Sequence, residues 1–75
     1  MKLACRKCSN ERGAVTYIGM VKYYLFLQEN ATVVAVSNQD RSEFTVPASS
    51  IRGKTFDCPL CAGKDSVNLV EQTLS

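Results

Sequence analysis

The amino-acid sequence predicts an all-β or mostly β protein of 75 residues. β-Branched and aromatic residues dominate the stretch from Ala14 to Val46, which is typical of strands. Polar turn sequences interrupt this stretch at residues 28–31 and 38–41. A pair of cysteines lies outside it near each end of the chain. Because so short a chain buries little apolar surface, we expect a single domain, residues 1–75, that needs a further cross-link.

The elements can be placed in order from composition and turn residues. The expected strands are Met1–Ala4, two segments on either side of a bend at Gly19-Met20, Thr32–Ser37, Glu43–Val46, Lys54–Asp57 and Ser66–Leu74. Pro47 should end a strand, and Ala48–Ile51 is expected to form one helical turn. In the turn at residues 28–31, Asn30 is expected to take the left-handed conformation. A helix would also place Ile18 and Leu25 on one face, but the composition favours strand.

The two cysteine pairs have the spacing of metal ligands. They are Cys5-Arg6-Lys7-Cys8 and Cys58-Pro59-Leu60-Cys61. Each places two thiols across a tight turn whose backbone N–H groups can face the sulfurs, and together they supply four ligands for a tetrahedral ion. Asn10 and Gly63, each two residues after a pair, are the expected left-handed exits from these turns.

These two motifs resemble those of zinc ribbons, in which two such knuckles cap two β-hairpins and share one structural zinc. The resemblance covers residues 1–19 and 54–74 as knuckle hairpins. It implies one Zn²⁺ per chain held by Cys5, Cys8, Cys58 and Cys61. Residues 20–53 would then form an inserted β-meander of two to three strands. Zinc ribbons more often have glycine directly after the second cysteine, where this chain has Ser9 and Ala62.

Three other roles for the cysteines compete with zinc binding. Disulfides suit secreted chains, but no signal peptide precedes Cys5. A thioredoxin-like pair would need a βαβ pattern, which is absent from the sequence. The stretch Cys58–Gly63 also resembles the second knuckle of rubredoxins, so iron is the main alternative metal. Zinc is favoured because the gap between the pairs is long and no dense aromatic cluster accompanies them.

The basic residues concentrate near the two knuckles, although the formal net charge of the whole chain is only +2. A basic end suggests contacts to nucleic-acid phosphates. The alternative is that these residues offset the negative charge of four thiolates on a divalent ion. The candidate contacts to nucleic acid or another partner are Arg6, Lys7, Arg12, Arg52, Lys54 and Lys64.

An aromatic stretch, residues 23–27, makes both faces of its strand apolar. Tyr24 and Phe26 lie on the face opposite to Leu25. We expect the sheet to curl and bury both faces. The alternative is an exposed apolar interface at Tyr24 and Phe26 that forms a homodimer or docks a protein partner.

Catalysis is not expected, since the chain has no histidine and its four cysteines are all needed as ligands. The missing signal peptide and the reduced cysteines indicate a cytoplasmic protein with no membrane span and no small-molecule substrate. The sequence therefore predicts a non-catalytic structural-zinc module that docks a macromolecular partner, with nucleic acid slightly favoured. The alternatives are a protein-binding adaptor or inhibitor, as in small bacterial or phage regulators, and a rubredoxin-like electron carrier.

Overall fold

Seven strands and a short 3₁₀ helix make up the part of the chain that the computed structural model describes, residues 1–11 and 13–70. The strands are β1 (Lys2–Cys5), β2 (Ala14–Ile18), β3 (Val21–Leu27), β4 (Thr32–Ser37), β5 (Glu43–Pro47), β6 (Thr55–Phe56) and β7 (Val67–Val70). The 3₁₀ helix, Ala48–Ile51, follows Pro47 directly, as predicted. The mostly β fold is confirmed. The strand that was predicted at Ser66–Leu74 begins at Val67 in the structure, and the predicted residues beyond 70 lie outside the described part.

The strands form two antiparallel sheets. One sheet has the order β1-β7-β6 and the other the order β2-β3-β4-β5. Strands from the two ends of the chain therefore pair, with Leu3 opposite Leu69 and Cys5 opposite Val67. A short bridge joins the two sheets, because the Val15 N–H donates to the Asp57 carbonyl at 2.8 Å and the Asp57 N–H donates back at 2.9 Å.

Residues 20–53 contain three strands, β3, β4 and β5, as expected for the inserted meander, and β2 extends this meander to four strands. β2 was assigned to the first knuckle hairpin, but it pairs with β3, with Ile18 opposite Val21. The reason is the two-residue turn at Gly19-Met20, in which Gly19 has a φ of 64° that glycine adopts without steric cost. A tight turn of this kind pairs adjacent strands, which leaves β1 to pair with β7.

The turn between β3 and β4 differs from the prediction in one residue. Ala31, and not Asn30, is left-handed, with a φ of 61°. The Gln28 N–H donates to the Thr32 carbonyl at 2.8 Å, which closes a loop of three residues. Such loops place the left-handed residue last. Asn30 instead accepts a hydrogen bond from the Thr32 hydroxyl through its side chain.

The core lies on one face of the meander. On this face, Leu25 and Val33 belong to one buried cluster with the 3₁₀ helix and Phe56. The same cluster includes Leu3 and Val67 of the other sheet. The opposite face is not covered in the same way, because Phe26 is 45% exposed. The expectation that curling would bury both faces is therefore wrong for Phe26. No helical segment within residues 1–11 and 13–70 is long and apolar enough to cross a membrane.

Candidate metal centre

The β1-β7-β6 sheet brings the four cysteines together. Cys5 ends β1, and Cys58 follows β6 after one intervening residue, so both knuckles emerge at the same end of the sheet. The four Sγ atoms all lie within 4.8 Å of one another. The Sγ atoms of Cys5 and Cys61 are 3.6 Å apart, as are those of Cys8 and Cys58.

This spacing fits a tetrahedral ion. A metal with Zn–S bonds of about 2.3 Å requires sulfurs about 3.8 Å apart, close to the contacts between the two knuckles. Each knuckle also aims a backbone N–H at a sulfur, as the motif predicts. The Lys7 N–H lies 3.4 Å from the Cys5 Sγ, and the Cys61 N–H lies 3.5 Å from the Cys58 Sγ. Four convergent thiols with N–H donors behind them are a ligand set for a metal ion.

Asn10 is part of this centre, although it was expected only as a turn residue. Its side chain is 5% exposed. The amide Nδ2 donates to the Sγ of Cys58 at 3.3 Å and to the carbonyl of Gly13 at 3.2 Å. The cysteine spacing by itself gave no signal for this contact, since it joins residues from opposite ends of the chain.

Ser66 supports the centre from the opposite side. Its Oγ is 3.3 Å from the Sγ of Cys5 and donates to the Gly63 carbonyl at 3.0 Å. The contact with Ser66, together with the backbone N–H groups of Lys7 and Cys8, outweighs desolvation and lowers the pKa of the Cys5 thiol to about 6. Although the backbone N–H of Asn10 favours the Cys8 thiolate, desolvation and the adjacent sulfurs raise the pKa of Cys8 to about 12. A bound cation would remove this mutual repulsion and allow all four thiolates to form.

The exits from the knuckles differ from the prediction. Ala62, directly after Cys61, is left-handed with a φ of 57°, and the positive-φ residues of the described part include neither Asn10 nor Gly63. This is the position at which zinc ribbons more often have glycine. Gly63 is required for a different reason, because a Cβ there would lie 2.9 Å from both the Lys7 Cδ and the Ser66 Oγ.

The predicted basic contacts are distributed over several surfaces. Arg6 and Lys7 are exposed on the first knuckle. Lys64 is exposed after the second knuckle and lines a cleft there with Pro59. Lys54, also exposed, lines a different groove together with core residues of the meander. Arg52 is exposed after the 3₁₀ helix, and Arg12 lies outside the described residues.

Two residues that the sequence did not single out lie beside Lys64. Tyr17 and Lys22 line the same cleft, which has a volume of about 280 Å³. They face each other across the β2-β3 hairpin. The only sequence signal was the two-residue turn that places them opposite. That the second knuckle packs beside this hairpin could not be deduced from local patterns.

No protein-family model matches the chain, and no curated protein or solved structure matches it either. The resemblance to zinc ribbons therefore depends on the cysteine spacing and on the convergence of the four sulfurs.

Proposed function

We propose that this protein is a non-catalytic binding module whose fold is fastened by one structural zinc ion. The observation that supports this most strongly is the convergence of Cys5, Cys8, Cys58 and Cys61, whose sulfurs lie within 4.8 Å of one another. The ligands come from both ends of the chain, so the ion would tie β1 to the connection that follows β6. A metal in this position adds the cross-link that a core of this size needs.

The ligand set favours a structural role. Four thiolates fill the tetrahedral coordination of zinc and leave no open position for a substrate or a reactive water. Zinc bound in this way contributes directly to folding, by about 10–16 kcal/mol in zinc-finger peptides. This is comparable with the whole stability of a small domain, which is about 5–15 kcal/mol. The module would then act by presenting its surfaces to a macromolecular partner.

The proposal is tested by measuring whether the chain folds only when it binds zinc. We expect the metal-free, reduced chain to lose most of its dispersed amide NMR signals and to regain them when one equivalent of Zn²⁺ is added. Cys61→Ser should shift the midpoint of this titration to much higher zinc concentrations, because three thiolates remain. Ser9→Ala, a change at an exposed neighbour of Cys8, is the matched control and should leave the midpoint unchanged. A metal-free chain with the full native spectrum would contradict the structural role.

A further inference from the structure

The face of the meander that points away from the core carries a row of aromatic side chains. Tyr17 on β2 lies opposite Lys22 on β3, and Lys22, Tyr24 and Phe26 alternate along β3 and so share one face. On β4, Val36 lies opposite Tyr24 and Val34 lies opposite Phe26. We call this surface the outer face. Its members on β2, β3 and β4 are Tyr17, Lys22, Tyr24, Phe26, Val34 and Val36, and Glu43 and Thr45 continue it on the edge strand β5.

The aromatic rings of the outer face are accessible. Tyr17 is 57% exposed and Phe26 is 45% exposed, while Leu25, on the opposite face of the same strand, is 5% exposed. Tyr24 lies between them and is half-buried. Its ring centroid is 5.1 Å from the Lys22 Nζ, a cation–π contact that places a positive charge among the rings. At the rise of a strand, the row extends about 13 Å from Lys22 to Phe26.

Positive charge also flanks one end of the row. Lys22, Lys64 and Tyr17 line the cleft between the β2-β3 hairpin and the second knuckle. Lys7 approaches the same knuckle, where its Cδ would lie 2.9 Å from a Cβ at Gly63. Within residues 1–11 and 13–70, neither Lys22 nor Lys64 takes part in an ion pair. Their ammonium groups are therefore available to an anionic partner.

We propose that the outer face binds single-stranded RNA, with bases stacked on Tyr17 and Phe26 and phosphates held by Lys22 and Lys64. This proposal rests on the proposed function, because it names the macromolecular partner of the zinc-fastened module. Exposed aromatic rings on a sheet with lysines beside them are the arrangement by which single strands are bound. Stacking uses the face of any base, so the binding tolerates many sequences.

The cleft favours RNA over DNA. Asp57 lines the cleft with Lys22 and Lys64, and its carboxylate is at the border with a neighbouring pocket, where Oδ1 accepts a hydrogen bond from the Asp65 N–H at 3.1 Å. A carboxylate repels phosphate but accepts a hydrogen bond from a ribose 2′-hydroxyl, which DNA lacks. The phosphates are therefore assigned to the two lysines and the ribose to Asp57.

The test is fluorescence anisotropy with a labelled single-stranded RNA of about 12 nucleotides, a length within the site sizes of single-strand binders. The protein is the full chain purified with its metal, and metal content and circular dichroism are recorded on the same samples. We expect Tyr17→Ala and Phe26→Ala each to weaken binding by about 5- to 150-fold. Tyr17→Phe, which keeps the ring, should bind as the wild type does.

Lysine variants test the phosphate contacts separately. Lys64→Ala should weaken binding and lower the slope of log affinity against log salt by about 0.7, as expected for one phosphate contact to a single strand. Arg41→Gln removes one positive charge from the exposed turn between β4 and β5, outside the cleft, and should leave the slope unchanged. Phe44→Ala removes an exposed ring from the core side of the meander, opposite to the outer face, and is the matched aromatic control.

Several results would overturn the proposal while the zinc-fastened fold remained intact. One is a metal-loaded, folded protein that does not bind the RNA, and another is equal binding by Tyr17→Ala, Phe26→Ala and the wild type. A dimer that these two variants dissociate, without RNA binding, would assign the face to a second copy of the chain. Equal affinity for DNA of the same sequence would overturn the assignment to RNA. Loss of metal from the wild type would instead count against the proposed function.

Discussion

The side-chain amide of Asn10 donates a hydrogen bond to the Sγ of Cys58, at 3.3 Å, although the two residues are 48 positions apart in the chain. The same amide donates to the Gly13 carbonyl. Asn10 therefore links the loop after the first knuckle to a sulfur of the second. A donor that contacts a ligand sulfur stabilises the thiolate form that metals bind.

Asn10→Ala is expected to reduce zinc affinity by about 10- to 100-fold, the usual effect of losing a hydrogen bond to a metal ligand. Competition with a chromophoric chelator measures this. Asn38→Ala, a change at an exposed asparagine in the turn after β4, is the control and should keep the wild-type affinity. Equal zinc affinity in both variants would show that the contact with Cys58 does not support the metal centre.

Gly63→Ala should destabilise the zinc-bound protein by about 1–3 kcal/mol, as overpacking of a filled site does. The new Cβ would lie 2.9 Å from the Ser66 Oγ, which itself contacts Cys5. Urea unfolding in saturating zinc measures the loss, and the zinc affinity should fall with it. Gly53→Ala meets no atom within 4 Å and strains only a φ of 82°, so it should cost stability without a specific loss of zinc affinity.

Ala62→Gly is expected to stabilise the protein by up to about 1 kcal/mol, because the left-handed φ of 57° costs alanine more than it costs glycine. The gain is reduced by the greater freedom of glycine in the unfolded chain. Ala31→Gly is the matched change at a left-handed residue far from the cysteines. The midpoint temperature of thermal unfolding should rise for both variants. A lower midpoint for Ala62→Gly would mean that the Cβ of Ala62 makes contacts that stabilise the protein by more than the left-handed φ costs.

Leu3→Ala should cost about 2–5 kcal/mol, since Leu3 is 1% exposed and belongs to the cluster that joins the two sheets. Urea unfolding of the zinc-bound protein is the measurement. Leu60→Ala, at a side chain that is 74% exposed on the second knuckle, should change stability by less than about 0.5 kcal/mol. A small loss for Leu3→Ala would mean that the metal, and not the apolar core, fastens β1 to β7.

Local patterns predicted much of the fold. β4 has the predicted bounds, Thr32–Ser37. The 3₁₀ helix follows Pro47 directly, as its sequence predicted. The structure brings together the four cysteines that the spacing identified. These features depend on nearby residues, which a sequence shows directly.

The features that were wrong or missed depend on pairing between distant segments. β2 pairs with β3 and leaves the first knuckle hairpin, because the tight turn at Gly19 decides its neighbour. The contact of Asn10 with Cys58 and the position of Lys64 beside Tyr17 exist only once both ends of the chain have paired. The exit at Ala62 was missed because a glycine one residue later was the more permissive choice, and Gly63 is needed there for space.

The metal content and visible spectrum of the protein, purified from cells supplied with both iron and zinc, test the central claim most directly. We expect a colourless protein with one zinc per chain, bound by Cys5, Cys8, Cys58 and Cys61 and lost when these are replaced by serine. One iron per chain with a strong thiolate-to-iron absorption would contradict the structural-zinc assignment and favour electron transfer. Protein that is folded but contains no metal would contradict the account of a metal-fastened module.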